Sequence, residues 1–134
     1  MRSGLLLAGL LFLAGCGNDG VALTVPVRGT VTYNGQAVEG AQVQFLTRQP
    51  PGAWGETDAE GRFELTTFEP GDGAIPGNHS VLIAKDEIDP EDQDADYPRW
   101  IPVLPLRYRS DGAPVFNVIV KKDEPNDFRF DLTD

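Results

Sequence analysis

Apolar and polar residues alternate with a period of two along most of the chain, which is the spacing of a β-strand with one buried face. The segment 24–33 shows the pattern clearly, because its apolar and glycine positions fall on one side and its polar positions on the other. The first side carries Val25, Val27, Gly29, Val31 and Tyr33, and the second carries Thr24, Arg28, Thr30 and Thr32. This segment is therefore predicted to be a half-buried strand.

Six further segments have the composition of short strands, and turn signals separate them. They are 41–45, 54–57, 62–66, 79–83, 115–120 and 128–132. The near-continuous apolar run at 115–120 predicts a central strand, joined to the last strand by a hairpin through 123–126. Asn34-Gly35 and Asp58-Ala59-Glu60-Gly61 are typical tight turns, and no window has helical periodicity of useful length. The pattern predicts an all-β, seven-stranded antiparallel sandwich.

Four motifs extend this prediction to a family. Residues 29–45 (GTVTYNGQAVEGAQVQF) and 57–63 (TDAEGRF) resemble the opening and the second signature of a carboxypeptidase regulatory-like domain. Residues 75–81 (IPGNHSV) and 126–130 (NDFRF) are similar to a branch of small bacterial lipoproteins that carry this domain. The resemblance covers about 25–84 and 104–132, departs from the family at 85–103, and implies a transthyretin-like sandwich of Greek-key type.

The family name does not imply peptidase activity for this chain. In metallocarboxypeptidases the domain is an appendage, and catalysis requires a zinc ion held by two His and one Glu. His79 is the single histidine in the sequence. With no nucleophile motif near Ser3, Ser80 or Ser110, we expect His79 to be an ordinary surface side chain and the protein not to be an enzyme.

The first fifteen residues have the pattern of a secretory signal peptide: Arg2, a ten-residue apolar run at 5–14 and a small-residue cleavage site. Ten residues are too few to span a bilayer as a helix. Leu13-Ala14-Gly15-Cys16 resembles the lipobox of bacterial lipoproteins, which implies cleavage before Cys16 and lipidation of its thiol. An ordinary signal peptide with an incidental Cys is the alternative. Gly17, where some bacteria place an Asp to retain lipoproteins in the inner membrane, favours the outer membrane.

The predicted organisation is a signal peptide at 1–15, a lipidated tether at 16–23 and one domain at 24–134, with an acidic insertion at 85–98. The 134-residue chain has 11 Lys and Arg against 21 Asp and Glu, a net charge of −10. Removal of 1–15 takes away Arg2 and leaves 10 basic and 21 acidic residues, a net charge of −11. Such acidity argues against nucleic acid as a partner, and a single Cys excludes an internal disulfide.

Seven acids lie between Asp86 and Asp96, and three of them, Asp92, Asp94 and Asp96, have the alternating spacing of calcium-binding loops. The match to an EF-hand is incomplete, since Tyr97 replaces the required Gly and Val103 replaces the bidentate Glu. A solvated acidic loop is the favoured interpretation, and calcium binding is the alternative. No resident cofactor is expected.

Exposed aromatic residues are the other candidate site. Trp54, Tyr97, Trp100 and Tyr108 could form a platform for sugar rings, whereas the proline-rich run 97–105 is also typical of a non-pairing loop that covers a sheet edge. Edge cover is the favoured interpretation. Together, these features predict a non-catalytic, lipid-anchored protein of the bacterial envelope that faces the periplasm or cell exterior. Its partner is expected to be a protein or envelope polymer, and the alternative function is carbohydrate or calcium binding.

Overall fold

The computed structural model describes residues 23–134, in which we number the strands in chain order. They are β1 (Val27–Tyr33), β2 (Gln36–Ala37), β3 (Gln42–Leu46), β4 (Ala53–Glu56), β5 (Arg62–Glu64), β6 (Gly77–Ala84), β7 (Asp86–Ile88), β8 (Trp100–Pro102), β9 (Phe116–Val120) and β10 (Asn126–Leu132). Two short 3₁₀ helices, Pro90–Asp92 and Leu106–Arg109, lie between strands. This part of the chain is therefore all-β.

The first sheet is built around β1. One edge of β1 pairs with β10 in parallel, from Val27 opposite Asn126 to Tyr33 opposite Leu132. Its other edge pairs with β5 over the first half of the strand and with β2 over the second half, both antiparallel. The chain therefore brings its last strand alongside the first strand described.

The second sheet has the order β4-β3-β6-β9, with every pair antiparallel. A separate two-stranded sheet pairs β7, which lies within the acidic insertion, with β8, which directly follows it. The connection between β9 and β10 crosses from the second sheet to the first. Asn126 organises this crossing, because its side chain bonds both the N–H and the C=O of Lys121 at 2.8 Å.

The core lies between the two four-stranded sheets, where alternating side chains from both interdigitate. The first sheet supplies Val27, Val31, Phe63, Phe130 and Leu132, and the second supplies Val43, Phe45, Val81, Ile83 and Val120. Phe45 is fully buried, and its ring centroid lies 6.5 Å from that of Phe63 and 6.2 Å from that of Phe130. The predicted all-β sandwich is confirmed. It is not antiparallel throughout, as predicted, because β1 and β10 pair in parallel. Its Greek-key connectivity stays a prediction.

All seven predicted strands are present, and three short strands were not predicted. Strands β2, β7 and β8 contain only two or three residues each, too few for a visible alternation. The predicted hairpin through 123–126 is wrong, because β9 and β10 belong to different sheets. Strand β9 is also not central. It forms the edge of the second sheet, and Ile119 is 57% exposed.

Both predicted turns form as expected. Asn34 and Gly35 have φ values of 50° and 82°, and they connect β1 to β2. In the second turn the Asp58 carboxylate accepts hydrogen bonds from the N–H groups of Glu60 and Arg62, at 2.9 Å each, and the Gly61 N–H bonds the Asp58 carbonyl. Gly61 has a φ of 75°. The hydrogen bond from Arg62 is the main reason that the pKa of Asp58 lies below its ordinary value.

We predict that Gly61→Val destabilises the domain by at least about 1–2 kcal/mol, because a β-branched residue resists the left-handed region. A Cβ at this position would also lie 2.5 Å from the Val31 carbonyl oxygen. Urea unfolding measures the effect. Gly112→Val is the matched control, since a Cβ at Gly112 meets nothing within 4 Å. Equal stability of the two variants would contradict the turn assignment.

Candidate functional site

The acidic insertion is a small folded unit. Strands β7 and β8 pair from Asp86 opposite Pro102 to Ile88 opposite Trp100, and the 3₁₀ helix Pro90–Asp92 lies between them. The sequence predicted that the segment 97–105 is a non-pairing loop that covers a sheet edge. This prediction is wrong, because part of the segment pairs with β7. Residues 100–102 form a strand, because β7 offers them an unpaired edge of the same length.

Asp89 is the centre of this unit and is buried. One of its oxygens accepts a hydrogen bond from the Glu91 N–H at 3.0 Å, and the other accepts from Nε of Arg99 at 3.0 Å and also from a terminal nitrogen of that guanidinium. The hydrogen bond with Arg99, followed by that from Glu91, holds the pKa of Asp89 below its ordinary value. Nothing in the spacing of Asp89 and Arg99 along the chain predicts that they form a pair.

Three more acids of the insertion also have basic partners. Asp86 receives hydrogen bonds from Arg109 at 2.9 and 3.2 Å, which lower its pKa, and Glu87 lies 3.3 Å from Nζ of Lys85. Asp92 accepts a hydrogen bond from the Arg99 N–H at 3.3 Å. The predicted solvated loop is thus in large part an ion-paired structure.

The possible calcium ligands are Asp92, Asp94 and Asp96. Asp92 is directed towards Arg99, whereas Asp94 and Asp96 are exposed. Between residues 23 and 134, no three His, Cys, Asp or Glu side chains are grouped so that they could hold a metal ion. A cation at Asp92 would compete with the contact from Arg99, and calcium binding stays a prediction.

The aromatic candidates separate into two groups. Trp54, Tyr97 and Trp100 are 58%, 94% and 61% exposed, so all three are available to a partner. Tyr108 is buried, its ring stacks 5.7 Å from that of Phe116, and its hydroxyl accepts a hydrogen bond from the Thr133 N–H at 3.0 Å. Tyr108 therefore belongs to the core and not to a surface platform.

The outward side of the first sheet is highly charged. Register places Arg28 between Glu64 and Asp127, and Thr30 between Arg62 and Arg129. We call this side the charged face; its charged residues are Arg28, Arg62, Glu64, Asp127, Arg129 and Asp131. Ion pairs within it include Arg28–Asp127 at 3.4 Å and Arg129–Asp131 at 3.0 Å. Its opposite charges are equal in number and neutralise one another.

The outward side of the second sheet has a different composition. We call it the amide face; its side chains are Gln42, Gln44, Leu46, Trp54, Glu56, Asn78, Ser80, Leu82, Ala84, Asn117 and Ile119. Glu56 is the one charged residue among these eleven. Across the strands, Trp54 lies opposite Gln44, which lies opposite Leu82, and Ser80 lies opposite Asn117. A four-stranded surface has thus been kept almost free of charge in a chain of net charge −10.

Two shallow clefts meet at Gln42 on the amide face. One, of about 280 Å³, is lined by Gln42, Gln44 and Trp54 among others. The other, of about 260 Å³, is lined by Gln42, Ala84 and Trp100 among others. The structure therefore brings the two tryptophans to opposite sides of one glutamine. Sequence analysis identified both tryptophans as candidates but not the glutamines. The feature that could have identified Gln42 and Gln44 is the lack of charged residues at the outward positions of this sheet.

His79 is buried rather than exposed, which corrects the sequence prediction. Its Nε2 lies 2.7 Å from the Ile75 carbonyl, its ring centroid lies 5.7 Å from that of Phe45, and its Nδ1 is buried without a hydrogen-bond partner. The register explains the burial, because His79 lies on the inward side of β6 together with Val81 and Ile83. It serves the core.

The lipobox residues Leu13, Ala14, Gly15 and Cys16 lie outside the described residues, as do the signal peptide and all of the tether except Leu23. None of the helices between residues 23 and 134 has the length and apolar character needed to cross a membrane.

No protein-family model and no curated protein matches the chain. Among solved structures, a 9R-lipoxygenase from Cyanothece PCC8801 is similar, with a TM-score of 0.41 and 13% sequence identity. The match covers 83% of this chain and 16% of the lipoxygenase chain. A similarity at this level carries no argument about fold or function.

We predict that Asp89→Asn lowers the melting temperature at neutral pH and weakens its dependence on acid. A carboxylate whose folded pKa is depressed stabilises the fold above its unfolded pKa, about 3.9, and this stabilisation is lost as the pH falls through the folded pKa. The parent chain should therefore lose more stability between about pH 5 and pH 2 than the variant does. Thermal melts across this range measure the difference.

Asp94→Asn is the control, because it removes an exposed charge from the same segment. It should follow the parent chain in both the neutral melting temperature and the acid dependence. If Asp89→Asn also follows the parent chain, the pairing of Asp89 with Arg99 does not contribute to stability.

Proposed function

We propose that the protein is a lipid-anchored component of the bacterial envelope whose carboxypeptidase regulatory-like β-sandwich is a non-catalytic structural or interaction module. The observation that carries the proposal is Leu13-Ala14-Gly15-Cys16, which places the single Cys of the chain at the end of an apolar run. A lipidated Cys16 would have more than the two membrane signals that stable anchoring requires.

The distance between Cys16 and the sandwich supports a role close to the membrane. Leu23 is seven residues after Cys16, and seven residues span at most about 25 Å when fully extended. A sandwich held within this distance reaches partners in or near the bilayer surface, such as another membrane protein or an envelope polymer. Gly17 in place of Asp favours the outer membrane.

The contacts that the ionisable side chains make within the fold support a non-catalytic role. Asp86 and Asp89 are paired with Arg109 and Arg99, and Asp58 caps a turn. His79 is enclosed by the core. A general acid or base must reach a substrate, and these side chains are instead engaged in contacts within the fold.

We predict that Cys16→Ala releases the protein from the membrane fraction of a bacterial host into the soluble fraction. The substitution removes the thiol to which the lipid would be attached and lies outside the sandwich. Fractionation followed by immunoblotting measures the shift. Asn18→Ala, two residues away, should stay with the membranes, and sedimentation of Cys16→Ala with the envelope would contradict the anchor.

A further inference from the structure

The amide face differs from every other large surface of the sandwich in its charge. The charged face carries six ionised groups, and the β7-β8 unit is rich in Asp and Glu, whereas the amide face carries Glu56 alone. Ordinary solubility favours charged outward positions on a sheet. A face with one charged residue, Glu56, is suited to contact a partner that is itself uncharged.

Three large apolar residues of the amide face are exposed. Of the nine large hydrophobic residues that are exposed between residues 23 and 134, Leu46, Trp54 and Ile119 lie on it, and Val115 directly precedes its edge strand β9. Exposed apolar surface of this kind marks interaction sites. Trp54 is an edge residue whose backbone is fixed by two hydrogen bonds to Thr66, at 2.8 and 3.0 Å. Its position is therefore well defined while its ring remains accessible.

Amide side chains accompany the aromatic rings. Gln44 lies directly opposite Trp54, Gln42 lies between the clefts of Trp54 and Trp100, and Asn117 lies across the sheet. Each amide offers both a donor and an acceptor. Sugar rings present hydroxyl groups of the same dual character at their edges, and apolar C–H groups on their faces that pack against aromatic rings.

We propose that the amide face binds a neutral polysaccharide with a flat, extended chain, of the β-1,4-linked type. A chain laid obliquely over the face from Trp54 to Asn117 crosses three inter-strand spacings, about 14 Å, and moves from the row of Gln44 and Leu82 to the neighbouring row of Leu46 and Ser80. This distance accommodates several sugar units on one surface. The proposal names the partner class of the interaction module and rests on that proposed function for its setting in the envelope.

A protein partner is less well matched to this surface. Protein interfaces depend on side chains that enter well-packed pockets, and fully desolvated anchors carry most of the binding energy. The amide face offers only shallow clefts. Leu82 at its centre is 9% exposed, so it adds little surface that a protein partner could bury. A flat ligand that lies on Trp54 and bonds Gln42 and Gln44 uses what this surface presents.

The neutrality of the site extends to its end near Trp100. Lys85 and Asp86 line the same cleft, but Lys85 is paired with Glu87 and Asp86 with Arg109. These charges are therefore already compensated. An anionic polysaccharide would find no unpaired cation among the residues that line this cleft.

The test is retention of the full-length chain, carrying Cys16→Ala to remove the lipid, on particles of cellulose and of chitin. We expect retention on at least one of these neutral β-1,4-linked polymers. Trp54→Ala should weaken retention about tenfold, as expected for loss of one aromatic contact of about 1.4 kcal/mol, and Gln44→Ala should weaken it severalfold. Trp54→Phe, which keeps an aromatic ring, should retain most of the binding.

Two control variants separate this surface from the rest of the molecule. Tyr97→Ala removes the most exposed aromatic side chain outside the amide face, and Arg129→Ala alters the charged face. Both should be retained as the parent is. Melting temperatures of all variants establish that each is folded.

Absence of retention on both polymers overturns the proposal, as does retention that Trp54→Ala and Gln44→Ala leave unchanged. Self-association that depends on concentration and is lost in Trp54→Ala, without retention on either polymer, would instead identify a protein interface. Membrane release of Cys16→Ala is measured separately, so failure of the anchor and failure of the sugar site are distinguishable.

Discussion

Contact between the aromatic rings of the two sheets is the interaction on which the structure depends. Phe45 projects from the middle of the second sheet and packs against Phe63, Phe128 and Phe130 of the first, with ring centroids 5.8 to 6.5 Å apart. Gly29 makes this packing possible, because a Cβ there would lie 2.5 Å from the ring of Phe63. Inward positions of both sheets are thereby fixed, and each outward position is fixed with them, since strand neighbours alternate.

The outward sides of the two sheets differ in their charge. On the charged face, opposite charges face one another across β5, β1 and β10, and they keep the surface soluble without making it strongly acidic. On the amide face, tryptophan, amide and aliphatic side chains replace those charges. Much of the acidity of the chain is placed in the β7-β8 unit, where Arg99, Arg109 and Lys85 compensate a large part of it. The uncharged surface is therefore a specific feature of one sheet.

Sequence pattern was sufficient for what depends on local alternation and turn chemistry. Seven of the ten strands, the Asn34-Gly35 turn and the Asp58–Gly61 turn are predicted correctly, because each is determined by neighbouring residues. The pairing of strands was less accessible. A hairpin from β9 to β10 was predicted from their closeness in sequence, whereas the parallel pairing of β1 with β10 joins segments about a hundred residues apart and leaves no local signal.

The candidate site shows the same division. Trp54 and Trp100 were recognised by residue type, but their relation through Gln42 follows from the register of β3 with β4 and β6. The sequence predicts a surface position for His79 because it shows no nucleophile motif for this side chain to serve. Its burial follows from its place on the inward side of β6, in the same row as Val81 and Ile83.

We infer that the interaction surface of the protein is the amide face, and not the charged face or the acidic unit. An NMR titration tests this inference, in which backbone amide chemical shifts are recorded while a soluble β-1,4-linked hexasaccharide is added. One titration uses the glucose oligomer and a second uses the N-acetylglucosamine oligomer. We expect the shifts of at least one oligomer to concentrate at Gln42, Gln44, Trp54 and Asn117, while Arg28 and Arg129 are unaffected. Shifts confined to the charged face or to residues 86–102, or none with either oligomer, would contradict it.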